Sequence, residues 1–176
     1  MTGNGHSGVQ QCVHHFLEAS ARRFPEKTAL ISEEGRVSYR LIDKMANSFA
    51  VGLVSRGIER GARVAIILRN SLEYVVSYYG CLKAGAVAVP LSADIKTEGL
   101  RTLLAEIEPF AVVTSRQNEK SVHECGLENF RVRLLVVKQP ATAWHTAHYE
   151  VIEWEGITES EDVARALPES EGNDLA

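Results

Sequence analysis

The chain has 176 residues, 45% hydrophobic and 24% charged, with a formal net charge of −4; that is long enough for one domain with a sizeable core and gives no case for nucleic acid. Its start, MTGNGHSGVQQ, has no basic patch followed by an apolar run, so no secretory leader is expected, and no stretch reaches the apolar length of a membrane span. Cys12, Cys81 and Cys125 are odd in number and far apart, which argues against a disulfide framework and makes a reducing cytoplasm the expected compartment.

Residues 1–10 read as a flexible start. Gly3, Gly5 and Gly8 of GNGHSG make a formal G-x-G-x-x-G, but a pyrophosphate cradle needs a strand delivering the turn, and only two residues precede it. Val13, Phe16, Leu17 and the run Ser20 to Phe24 predict one helix closed by Pro25. TALIS (Thr28 to Ser32) is a short strand, and after the turn EEG the stretch RVSY leads into a helix. There Leu41, Ile42, Met45, Phe49, Ala50, Leu53 and Val54 recur at three- and four-residue spacing, which predicts one inward face. Ser38 is its expected N-cap and Gly57 its left-handed stop.

RVAIIL (Arg63 to Leu68) has the length and branching of a buried strand. Asn70 is the expected cap of the next helix, with Leu72, Val75, Val76, Tyr79 and Leu82 inward and Gly85 at its end. AVAVP is a strand, Thr97 to Glu108 a helix with Leu100, Leu103, Leu104 and Ile107 inward, and FAVVT a strand. A helix near Glu119, a strand RLLVV (Arg133 to Val137) and YEVIEW complete the pattern. Strand, helix, strand at this spacing predicts an α/β fold: a mostly parallel sheet with helices on both faces.

Residues 11–152 are therefore the expected α/β unit and residues 153–176 an acidic linker. From Glu150 onward there are nine acids and one base, Arg165, a net −8 that leaves +4 on the preceding 149 residues. Acids scattered among Thr, Ser, Pro and Gly keep a surface segment wet.

Chemistry-bearing motifs are sparse. His14 and His15, adjacent on a helix, point about 100° apart, so they are not expected to share a metal. Cys12 with His15, and His145 with His148, have tolerable ligand spacing but lack a third and fourth partner. There is no G-x-S-x-G, C-x-x-C or H-E-x-x-H. Glu106 and Glu108 read as solvated acids, and Trp144 and Trp154 as packing or turn residues. The residues alone nominate no catalytic, cofactor-binding or metal site.

The stretch VSYRLIDKMANSFAVGLVSRGIERGARVAIILRNSLEYVVSYYGCLKAGAVAVPLSADIKTEGLRTLLAEIEPFAVVTS strongly resembles the N-terminal part of the AMP-forming acyl-activating enzymes. That superfamily holds acyl-CoA synthetases, peptide-synthetase adenylation domains and luciferases. VSYRLID is similar to its Ser/Thr-Tyr-x-Glu-Leu segment and LKAGAVAVPL to its Leu-Lys-Ala-Gly-Ala-x-x-Val-Pro-Leu segment, the likeness running from about Phe16 to Ser115. Both segments are structural: Ser38 caps a helix, Gly85 ends one, Ala84 and Ala86 permit close packing, and Pro90 ends a strand. The sequence departs from the family at Leu41, where a Glu would complete a capping box, and at Ala62, where an Asp is usual.

The resemblance implies an incomplete N-terminal part of the adenylate-forming fold. NDLA (Asn173 to Ala176) is similar to the run-up to the family's Gly- and Ser/Thr-rich phosphate loop, and neither that loop nor the later adenine, ribose and catalytic Lys motifs has a counterpart here. The implied function is the N-terminal fragment of an ATP-dependent carboxylate–CoA ligase of fatty-acyl-CoA synthetase type, inactive alone. The alternatives are one chain of a split acyl-activating enzyme and a non-catalytic α/β interaction domain. The complete enzyme would use ATP, Mg²⁺ and CoA, none expected on this chain. Its partners would be the missing C-terminal portion or a complementary chain, and a fatty acid or other carboxylate. A sheet interrupted in this way is expected to leave apolar surface and an unpaired edge exposed.

Overall fold

A computed structural model describes residues 12–32, 34–141, 144 and 146–158. Helix α1 (Val13–Arg23) precedes an antiparallel hairpin, β1 (Thr28–Ser32) and β2 (Gly35–Ser38). The sequence pattern does not give β2: its four residues are exposed or half-buried, too short and too polar for an alternation to show.

Helix α2 (Tyr39–Ser55) starts where expected, the Ser38 hydroxyl accepting from the Leu41 amide at 3.3 Å. It ends in paired bonds, Gly57 N–H to Val54 C=O at 3.0 Å and Ile58 N–H to Leu53 C=O at 3.3 Å, with Gly57 at φ +80° as a left-handed stop requires. Ile42, Phe49, Ala50 and Leu53 are buried, each large side chain contributing about 1.5–3 kcal/mol. Leu41 departs from the predicted face: it sits in the first turn, where the helix overhangs solvent, and is exposed.

The main sheet is built from β3 (Arg63–Ile67), β4 (Val87–Pro90), β5 (Ala111–Ser115), β6 (Leu134–Lys138) and β7 (Glu150–Glu153), in the order β4-β3-β5-β6-β7. Every pairing is parallel. Alternate residues of its strands feed two cores. Val64, Ile66, Ala111, Val113, Leu134 and Val136 pack under α1, α2, α3 (Leu72–Lys83) and α6 (Trp154–Thr158). Ala65, Ile67, Val112, Leu135 and Val137 pack under α4 (Thr97–Ile107) and α5 (Glu119–Cys125). The sheet thus lies between two helix layers, as predicted.

Three boundaries differ from expectation. Ser71, not Asn70, caps α3, its hydroxyl accepting from the Tyr74 amide at 3.2 Å; both types can cap, and only the backbone conformation decides. Burial on α3 extends past the predicted stripe to Ser77, Gly80 and Cys81, because α2 packs directly on it. A Cβ on Gly80 would stand 2.7 Å from Phe49 Cδ1. Thirdly, the acidic run opens with a helix: α6 buries Trp154, Ile157 and Thr158, the Trp154 indole N–H donating to Ser77 Oγ at 3.1 Å.

Cys81 and Cys125 are free thiols inside the two cores and Cys12 is half-buried. Val13, Phe16, Phe24, Ile31 and Leu41 are exposed; they lie on α1, the chain just after it, β1 and α2, not at the sheet's rim. Among the described residues, β4 and β7 each have one neighbour in the sheet.

Candidate functional site

In a parallel sheet the loops leaving the strands' C-terminal ends diverge where the strand order reverses, and ligands bind in that crevice. Here β3 continues outward to β4, whereas β5 continues the other way to β6 and β7. The reversal therefore falls between β3 and β5. A crevice of about 240 Å³ opens there. Leu68, Arg69 and Ser71 line it from the loop after β3, Ser115 from the end of β5 and Arg116 from the loop after it, and Lys138 from the end of β6.

The loops at this end of the sheet are tied together by polar contacts. Asn118 Nδ2 donates to the Ala93 carbonyl, joining the loops after β5 and β4. Glu119 accepts from the Ala141 amide at 2.7 Å and the Trp144 indole at 2.9 Å, joining the start of α5 to the chain after β6. Arg69 Nη2 bonds Asp94 Oδ1 at 2.9 Å, both exposed.

At the floor, Lys138 Nζ stands 3.1 Å from Glu73 Oε1, pairs also with Glu155, and lies 5.2 Å from the centroid of the Trp154 ring. Glu73 follows the cap of α3, where an acid is favoured by the helix's positive end. Burial alone would push its carboxyl up; its own backbone amide, the Ser71 hydroxyl and Lys138 hold it below the ordinary value. Burial would push the Lys138 ammonium down, but the Glu155 and Glu73 carboxylates raise it. Glu73 is consequently ionised near neutral pH. It acts as a counter-ion there, with no proton to donate. This cluster was missed by sequence reasoning, although a Glu just inside a Ser-capped helix and a Lys ending an apolar strand are its two signals.

Glu106 and Glu108 are exposed, in line with solvated acids. Trp154 packs in the core, and Trp144, half-buried, packs against the core beneath α4 and α5 and donates to Glu119. GNGHSG and His145 lie outside the described residues; His148 is exposed. One reading needs correction. Cys12, His14 and His15 each bring a ligand atom to within 4.8 Å of the other two. Cys12 is the extended N-cap residue of α1, not a helical one, and the His14 and His15 rings meet edge to face with centroids 4.4 Å apart. Side-chain rotation thus outweighs the helical offset between adjacent residues.

Compared with known proteins, residues 17–176 match the AMP-binding enzyme family. Nonribosomal peptide synthetase ivoA of Emericella nidulans is 33% identical over 124 residues, which is 70% of this chain and 7% of that protein. Among solved structures, MbtA of Mycobacterium smegmatis superposes with a TM-score of 0.78 at 26% identity, over 92% of this chain and 29% of that one. A benzoate CoA ligase from Burkholderia xenovorans LB400 gives 0.72 at 21% identity, over 93% of this chain and 30% of that one. The five-stranded parallel sheet and its two helix layers match the N-terminal part of the fold of these enzymes.

Proposed function

The chain belongs to the AMP-binding enzyme family, and from that premise we propose that it supplies the opening α/β layers of an ATP-dependent enzyme that activates a carboxylic acid as its acyl-adenylate. The observation that carries this reading is the family match across residues 17–176 on a sheet whose order and packing agree with it.

Enzymes of this family use ATP and Mg²⁺. Adenylation holds a carboxylate in line with the α-phosphorus and neutralises the departing pyrophosphate. The described residues around the crevice do not fit a triphosphate. Lys138 is already shared by Glu73 and Glu155 and Arg69 is paired with Asp94, so among the described residues Arg116 is the one lining cation without an ion pair, a single positive charge with the Glu73 carboxylate lining the same crevice. In this reading the crevice is a structural wall, and the phosphate-holding groups come from a Gly- and Ser/Thr-rich loop on another segment or another chain. The 176 residues by themselves then form no acyl-adenylate.

The acid is proposed to be a fatty acid, with CoA as acceptor, on the character of PLSADIKTEGLRTLLAEIEP (Pro90 to Pro109). An amino acid is the second reading, favoured by the 33% identity to a peptide synthetase. The deciding experiment is acid-dependent exchange of pyrophosphate into ATP. It is run on the purified chain, then on the chain combined with a polypeptide carrying the phosphate loop and following segments of an adenylate-forming enzyme, with panels of fatty and amino acids. Exchange only in the combined sample is the expected result. Exchange by the chain alone, or none in any complemented sample that binds the chain, overturns the proposal.

A further inference from the structure

Cys12, His14 and His15 belong neither to the crevice nor to the ion pairs beneath it. Cys12 precedes α1 in extended conformation, φ −70° and ψ 154°, which folds its thiol back over the first turn. His14 is 5% exposed, and the three ligand atoms lie within 4.8 Å of one another. In a tetrahedral centre, with sulfur about 2.3 Å and nitrogens about 2.0–2.1 Å from the metal, ligand atoms stand roughly 3.3–3.6 Å apart. Side-chain rotations of about an ångström close the set to that spacing.

We propose that Cys12, His14 and His15 form a three-ligand site for a zinc-class divalent cation, with the fourth position open to water or another ligand. One thiolate and two imidazoles are the donor set that selects such a metal over Mg²⁺ or Ca²⁺, which take oxygen. Binding releases the Cys12 thiol proton, so the thiolate cancels one of the cation's two charges beside the helix's positive end.

The geometry supplies a reporter. The Cys12 amide donates to His15 Nδ1 at 3.2 Å. A metal taking the Nδ1 lone pair displaces that amide; a metal taking Nε2 moves the ring proton to Nδ1, which then no longer accepts. Either way the Cys12 amide changes partner when the site fills.

The test is Co²⁺ titration of the tag-free chain, read by thiolate-to-cobalt absorption and by the Cys12 amide resonance, followed by displacement with Zn²⁺. One cobalt per chain, a thiolate charge-transfer band and a shifted Cys12 amide are expected. Cys12→Ser should abolish the band, and His14→Gln or His15→Gln should weaken affinity by about 100-fold or more. Cys81 and Cys125 are buried in the cores and are not expected to contribute. A spectrum without thiolate, a band that survives Cys12→Ser, or an unmoved Cys12 amide would overturn the proposal. Should a variant fail to fold by circular dichroism, the native chain still decides, through its band and its His14 and His15 ring resonances.

Discussion

Lys83 ends α3 with its ammonium 2.7 Å from Glu18 Oε1 on α1, its own side chain only 2% exposed. Asp43 of α2 approaches the same ammonium, Oδ1 at 2.9 Å. A buried cation is tolerable only while its partners remain. The double variant Glu18→Gln/Asp43→Asn is therefore expected to lose about 3–5 kcal/mol, because it strands the ammonium. Lys83→Met should cost less, since an apolar chain of similar length refills the space and the two carboxylates can turn to water. Chemical denaturation of the three proteins checks the order; a larger loss for Lys83→Met would contradict it.

Two glycines set how closely the helices approach. A Cβ on Gly80 would lie 2.9 Å from Phe49 Cβ and 3.1 Å from the Ala46 carbonyl oxygen, so Gly80→Ala must push α3 from α2. The expected loss is about 1–3 kcal/mol, the usual cost of overpacking. A Cβ on Gly52 would stand 2.3 Å from Ile157 Cγ1, so Gly52→Ala should act on α6 instead. Its signature is a red-shifted Trp emission and faster proteolysis near Thr158, with less change in the global unfolding midpoint than Gly80→Ala.

Trp154 and Ser77 make a buried side-chain hydrogen bond between α6 and α3. Trp154→Phe keeps most of the ring contact but leaves the fully buried Ser77 hydroxyl without its donor. A loss of about 1–3 kcal/mol is expected. Ser77→Ala added to Trp154→Phe should recover part of it, measured as a double-mutant cycle.

Stability should fall on both sides of neutrality. The carboxyls of Glu18 and Glu73 titrate below their ordinary value of 4.5 in the folded chain. Their contribution is thus present above 4.5 and lost as pH falls through the lower folded value. Lys138 titrates above its ordinary 10.5, so its contribution is complete below 10.5 and lost as pH rises through the higher folded value. Glu73→Gln removes a partner from both limbs and should flatten each. Urea midpoints recorded from acid to alkaline pH check this, and an acid limb as steep as the parent's would refute it.

How much of this was legible beforehand varies by element for physical reasons. Helix α2 and strand β3 declared themselves because a Ser cap, a left-handed Gly and an uninterrupted apolar run each leave one solution. The end of α4 fell at Glu108 as expected, but its geometry was not legible: Glu108 stands at φ +43°, a conformation that a non-glycine residue gives no reason to expect. Helix α6 was hidden because its two large apolar residues, Trp154 and Ile157, sit among acids whose count dominates a short window. The Glu73–Lys138–Glu155 cluster joins residues up to 82 positions apart, and no local pattern carries such a pairing. The Cys12, His14 and His15 group escaped because the helical offset between His14 and His15 takes no account of side-chain rotation, which brings their ring centroids within 4.4 Å of each other.

The position of β3 bears on the birth of the molecule. It flanks β4 on one side and β5 on the other, so a growing polypeptide cannot complete the strand's pairing until Ala111 to Ser115 has cleared the ribosomal tunnel. Until then Ala65 and Ile67, which end in the core beneath α4 and α5, have no lasting cover. That interval is when nascent-chain chaperones would be most needed.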